Sequence, residues 1–104
     1  MKIFKLAMAP EKENQHDMLA QSLYGSEHVQ VMHISLKPGG SLKKHTTPTN
    51  VFFYILEGKG IVDIGEDEEE VVKDSLIESP ANIPHLLRND SDETFRFLVV
   101  KLKN

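Results

Sequence analysis

The chain contains no cysteine, and that absence removes disulfide bonds, thiolate nucleophiles and cysteine-ligated zinc or iron–sulfur centres at once. It agrees with a reducing compartment, and the expected location is the cytoplasm. Glycine and proline are sparse, at six and five of 104 residues, which argues against disordered and collagen-like chains. The formal net charge is −4 and the lysines are scattered without forming a basic stripe, so there is little pull toward a phosphate backbone. Nucleic acid is not an expected partner. Long hydrophobic runs are missing as well: the apolar patch of MKIFKLAMAPEKEN is interrupted by Lys5 and followed by Glu11, Lys12 and Glu13. Neither a signal peptide nor a membrane span is expected there. A glycine-rich phosphate loop and a nucleophile elbow are also lacking, which leaves serine-based hydrolysis without support.

What is present is the composition of one globular domain, 39% apolar and 27% charged. A chain of this length buries only about two-thirds of the surface its unfolded form exposes, so a homodimer that hides more apolar area is expected. VQVMHISL alternates, with Met32, Ile34 and Leu36 on one face and Val31, His33 and Ser35 on the other, the period of a strand. VFFYILEGKGIVDIG is rich in β-branched and aromatic residues and broken by Gly58 and Gly60, which predicts a hairpin. The acidic run Glu66 to Glu70 is expected at its solvated tip. VVKDSLIESP, ANIPHLL and FRFLVVKL follow as further short strands, the pattern of a sandwich or barrel. Only HDMLAQSLYG departs, since Met18, Leu19 and Leu23 fall at near-helical spacing and predict a short helix or an irregular strap. Residues 1–28 are expected to form an N-terminal strand or strap on a barrel built from residues 29–104.

Two segments carry the chemistry. PGGSLKKHTTPTNVFFYILEGKG resembles the first motif of the cupins, G-x5-H-x-H-x3,4-E-x6-G, through Gly39, His45 and Gly58. DSLIESPANIPHLLRN resembles their second, G-x5-P-x-G-x2-H-x3-N, through Pro80, His85 and Asn89. Asp74 and Asn82 stand at its glycines, and these are the residues that best tolerate positive φ in place of glycine. The resemblance implies an all-β fold, a small double-stranded β-helix of two antiparallel sheets with the motif residues lining its mouth. In metal-bearing cupins three histidines and a glutamate hold a divalent ion such as iron, manganese, nickel or zinc. Carried over by position, His45 and His85 match the first and last histidine, while Thr47 replaces the second and Val51, or Asn50 if the gap is counted one residue shorter still, replaces the glutamate.

Two neutral imidazoles anchor a metal weakly, a protonated threonine hydroxyl is a poor ligand, and valine is none; open catalytic sites normally keep about three protein ligands. A substitute donor would have to come from His33 in the preceding strand, or less plausibly from Asp63 or Glu78, which are simply read as solvated strand residues. Two readings of the His45 and His85 pair stay open, as ligand-bonding or structural imidazoles and as metal ligands. Three functions follow. The first is a binding module for a small molecule, with His45, Thr47, Val51, Phe53 and His85 around the lumen and no assured cofactor. The second is a metal-dependent dioxygenase or isomerase using His45, His85 and a substitute. The third is a purely structural dimerisation domain.

Overall fold

The computed structural model describes residues 1–103. After a single 3-10 turn at Leu6–Met8, the chain forms β1 (Glu11–Gln15), β2 (Met18–Gly25), β3 (Val29–Leu36), β4 (Ser41–His45) and β5 (Val51–Glu57). It continues as β6 (Lys59–Ile64), β7 (Asp67–Val72), β8 (Leu76–Ser79), β9 (His85–Arg88) and β10 (Phe95–Leu102). All neighbouring strands are antiparallel, in a six-stranded sheet ordered β1-β2-β3-β10-β5-β8 and a four-stranded sheet ordered β4-β9-β6-β7. The two sheets bury one core between them, as the expected double-stranded β-helix requires.

Three local expectations are revised. Met18–Gly25 is a strand, not a helix, paired with β3 from Met18↔Leu36 to Gly25↔Gln30. Its inward residues are Met18 and Ala20, a period of two that the spacing of Met18, Leu19 and Leu23 conceals. A register shift between Ser22 and Tyr24 takes Leu23 out of the alternation. VFFYILEGKGIVDIG is not a hairpin either: β5 pairs with β8 and β10 in one sheet, and β6 with β7 and β9 in the other. Gly58, at φ 79°, is the corner where the chain changes sheets, and a Cβ there would lie 2.2 Å from the Thr94 carbonyl oxygen. The hairpin is β6–β7, closed by Gly65 and Glu66. The acidic run therefore starts in that turn at Glu66 and continues along β7, an outer strand of its sheet, with residues 66–70 exposed. Charge on such an edge discourages pairing with another chain.

Turn chemistry explains how the second motif survives without its glycines. Asp74 and Asn82 both adopt φ 67°. Asn89 is buried and fastens the turn after β9, with Nδ2 donating to the carbonyl oxygens of Leu36 (3.0 Å) and Glu93 (2.7 Å) while Oδ1 accepts from the Ser91 amide (3.0 Å). No helix among the described residues is long and apolar enough to cross a membrane.

Candidate functional site

The interior is filled at one end and open at the other, and the cause is legible along single strands. On β10 the inward row runs Phe95, Phe97, Val99, Lys101; on β3 it runs, in the same spatial direction, Leu36, Ile34, Met32, Gln30. On β5 it runs Ile55, Phe53, Val51. Phe95, Phe97, Ile55, Leu36 and Leu87 are fully buried, each contributing about 1.5–3 kcal/mol by burial. At the other end the aromatic side chains give way to Val99 on β10 and Val51 on β5, and a cavity of ≈ 520 Å³ remains. Its walls come from β3, β5 and β10, from β4 and β9 of the facing sheet, and from β1 and β2. Glu13 and Gln15 on β1 and Ser41 and Lys43 on β4 also line it.

His45 and His85 are registered partners on β4 and β9. Their ring centroids lie 5.9 Å apart at 53°, and both line the cavity. His45 is exposed at the mouth, whereas His85 is buried and meets the edge of Phe53 at 5.2 Å and 76°. The Nδ1 of His85 lies 3.0 Å from Oγ of Ser79, a hydroxyl with no solvent exposure. Among the described residues that is the only hydrogen bond of the Ser79 side chain, so the arrangement that leaves no buried hydroxyl hydrogen stranded has Ser79 donating to Nδ1. The ring proton then sits on Nε2, which has no protein partner and opens on the cavity. Burial, followed by the nearby charges of His45 and Lys101, holds the His85 pKa below the ordinary histidine value, so the ring is neutral at pH 7. Thr47 is buried in the wall, and its Oγ1 is spent on the Thr49 carbonyl at 2.8 Å. Val51 and Phe53 supply apolar wall beside it.

The substitute donors lie elsewhere. Strand alternation sends His33 to the outer face of its sheet, because Met32 and Ile34 take the inner one. Its Nε2 accepts from Arg96 Nη1 at 2.9 Å and its Nδ1 donates to Gln21 Oε1 at 3.2 Å, so neither nitrogen keeps a free lone pair for a metal. Burial, with the Arg96 charge behind it, lowers its pKa. His33 is therefore not part of the site. Asp63 faces out from β6 toward Arg88, with Oδ2 3.6 Å from Nη1, and Glu78 is exposed on β8. Among the described residues no three His, Asp or Glu side chains come together as a metal group requires.

The donor set does not fit the divalent ion that the motifs suggest. Only two imidazoles converge, the Thr47 hydroxyl is committed, Val51 has no donor atom, and the hydrogen-bonded partner of His85 favours a proton on the nitrogen that a metal would need. Ligating histidines ordinarily donate their second N–H to a carboxylate or carbonyl, the reverse arrangement. The arrangement can instead donate hydrogen bonds to a bound molecule. Sequence reasoning missed Ser79, Gln30 and Lys101. The alternation in FRFLVVKL would have placed Lys101 on the same face as Phe95 and Phe97, but nothing local marks Ser79.

Comparison with known proteins agrees with this architecture. Protein MJ0764 of Methanocaldococcus jannaschii is 28% identical over 91 residues, 86% of this chain and 78% of that one. Its crystal structure, described as an RmlC-like cupin with a double-stranded β-helix fold, superposes with a TM-score of 0.82 over 99% of this chain and 91% of that one, at 23% identity. TT1209 from Thermus thermophilus superposes with a TM-score of 0.86 and 29% identity, covering 99% of this chain and 98% of the other. The polyketide cyclase RemF from Streptomyces resistomycificus shares the fold alone, at a TM-score of 0.85 and 22% identity over 100% of this chain and 80% of its own. The Cupin domain family is matched over residues 32–101, from β3 through β10 and both histidine motifs, and the chain belongs to it.

Proposed function

We propose that this cupin binds a small molecule in its cavity, with His85 and His45 donating hydrogen bonds and Phe53 and Val51 forming the apolar wall. The observation that carries the reading is the Nε2 of His85, open on a cavity of ≈ 520 Å³ while its Nδ1 is tied to Ser79. Ligand pockets are commonly of about 300–1,000 Å³, mostly apolar, with a few placed polar groups. The metal-dependent dioxygenase or isomerase needs a third donor, which His33, Asp63 and Glu78 do not supply from where they lie. Titration of ¹⁵N-labelled protein with a metabolite panel tests the binding role. Saturable shifts at His85, Phe53 and Val51 are expected, and a panel that moves none of them, with the cavity collapsed in a crystal structure, would end it.

The protein works, on this reading, in the cytoplasm as a homodimer. Ile3 and Met8 are 73% and 82% exposed, and half-exposed Phe4 stacks edge-on against Tyr24 at 5.1 Å, an apolar strip that a second copy would cover. Light scattering at micromolar concentration should give twice the chain mass, reduced to one chain by Phe4→Asp; a monomer for the unaltered protein would refute the pairing.

A further inference from the structure

The inward row of β10 ends in a charge. Phe95, Phe97 and Val99 face the interior, and Lys101, next in that row, lines the cavity half-buried. Inward lysines are used to guard sheet edges, but β10 lies between β3 and β5 in the middle of its sheet, so that explanation fails. The registered neighbours of Lys101 are Gln30 on β3 and Val51 on β5, neither of them acidic. Among the described residues Lys101 forms no ion pair. Glu13, the carboxylate lining the cavity, is exposed on β1 at the outer lip, where it accepts a hydrogen bond from Gln15 at 3.0 Å. An ammonium that lines a cavity with no acidic neighbour in register and no ion pair is available to a bound anion, with which it would form a charge-assisted hydrogen bond.

The cavity is thus divided. Lys101 and Lys43 bring positive charge to its wall and His85 and His45 bring nitrogen donors, whereas Phe53, Met32, Ile34 and Val99 make the rest apolar. We propose that the ligand is a carboxylic acid with an apolar body, its carboxylate between Lys101 and His85 and its body against Phe53 and Met32. This rests on the cavity being a ligand site. A phosphate ester fits less well, since phosphates are usually received by helix N-termini or nests of backbone amides, and these walls are strands.

Hexanoate and the neutral hexanamide, titrated into ¹⁵N-labelled protein, test the proposal. Hexanoate is expected to bind at least about tenfold more tightly, the difference a charge-assisted hydrogen bond confers. Lys101→Met should abolish that preference without weakening hexanamide, while Lys73→Met, at an exposed turn position, should leave both unchanged. Equal binding of the two ligands to the unaltered protein would overturn the carboxylate assignment and leave the cavity reading standing. Failure of both to shift the lining amides at millimolar concentration would overturn the two together. Because the preference is measured first on the unaltered protein, the outcome does not depend on the variant folding.

Discussion

Ser79→Ala isolates the contact that orients the site. The hydroxyl is fully buried 3.0 Å from Nδ1 of His85, and the two side chains come from β8 and the start of β9. Removing it leaves a buried ring nitrogen unpaired, a penalty of about 1–3 kcal/mol. For a domain of this length that lowers the unfolding midpoint by roughly 4–20 °C. The chemical consequence is more specific than the loss of stability. Ser79 donating to Nδ1 fixes the ring proton on Nε2, so ¹⁵N shifts of the imidazole at pH 8 should show one tautomer in the unaltered protein and a mixture in Ser79→Ala. Binding of hexanoate should weaken with it, since the donor facing the cavity is then present for only part of the time. A proton found on Nδ1 in the unaltered protein would refute the reasoning, as would a variant with unchanged tautomer and unchanged midpoint.

Gly60→Ala should destabilise by about 1–3 kcal/mol, because its Cβ would lie 2.3 Å from Cε2 of Phe95, a fully buried ring packed 5.1 Å from Phe97. Guanidinium unfolding checks this, and adding Phe95→Leu should recover part of the loss beyond simple additivity; strict additivity counts against the clash. Stability should also fall with acidification, because the pKa values of His33 and His85 are both lowered in the fold. From about pH 6.5 down to those lowered values the unfolded chain binds more protons, so this stability is complete above the window and lost as pH falls through it. Urea midpoints between pH 8 and 5 should show that slope, reduced in His33→Gln, and a flat profile would contradict it. Asn89→Ala removes the donor to the Leu36 and Glu93 carbonyls and should cost about 1–3 kcal/mol. Hydrogen exchange should quicken at Ser91, whose amide bonds the lost oxygen; unchanged protection there would rule out the turn-fastening role.

Positions governed by local backbone chemistry are readable from residue type. Asp74 and Asn82 stand where motif glycines are expected, and both take positive φ. The strand holding His85 is likewise legible in ANIPHLL, whereas the polar SLKKH carries no strand pattern of its own; the structure brings the two rings within 5.9 Å. Gly58 shows where such reading stops: a tight hairpin and a corner between sheets both demand a residue at positive φ, and only long-range pairing decides between them. The strand at Met18–Gly25 depends in the same way on the edge that β3 offers it. For His33 the alternation places the residue on one face without saying which face is inner, and Arg96 and Gln21, which claim its nitrogens, lie on other strands. Ser79 owes its role to a partner six positions away across a turn, a relation that no periodicity announces.

The change along β10 from two buried aromatic rings, Phe95 and Phe97, to Val99 and Lys101 separates two tasks within one barrel. Cohesion resides in the aromatic half and in the buried walls Ile34, Val51 and Phe53, so amino-acid exchange costs least at the partly exposed positions of the chamber. Replacements at Val99, Met32 or Gln30 would reshape what the chamber admits while the scaffold holds, a division that lets new selectivity arise without a new architecture.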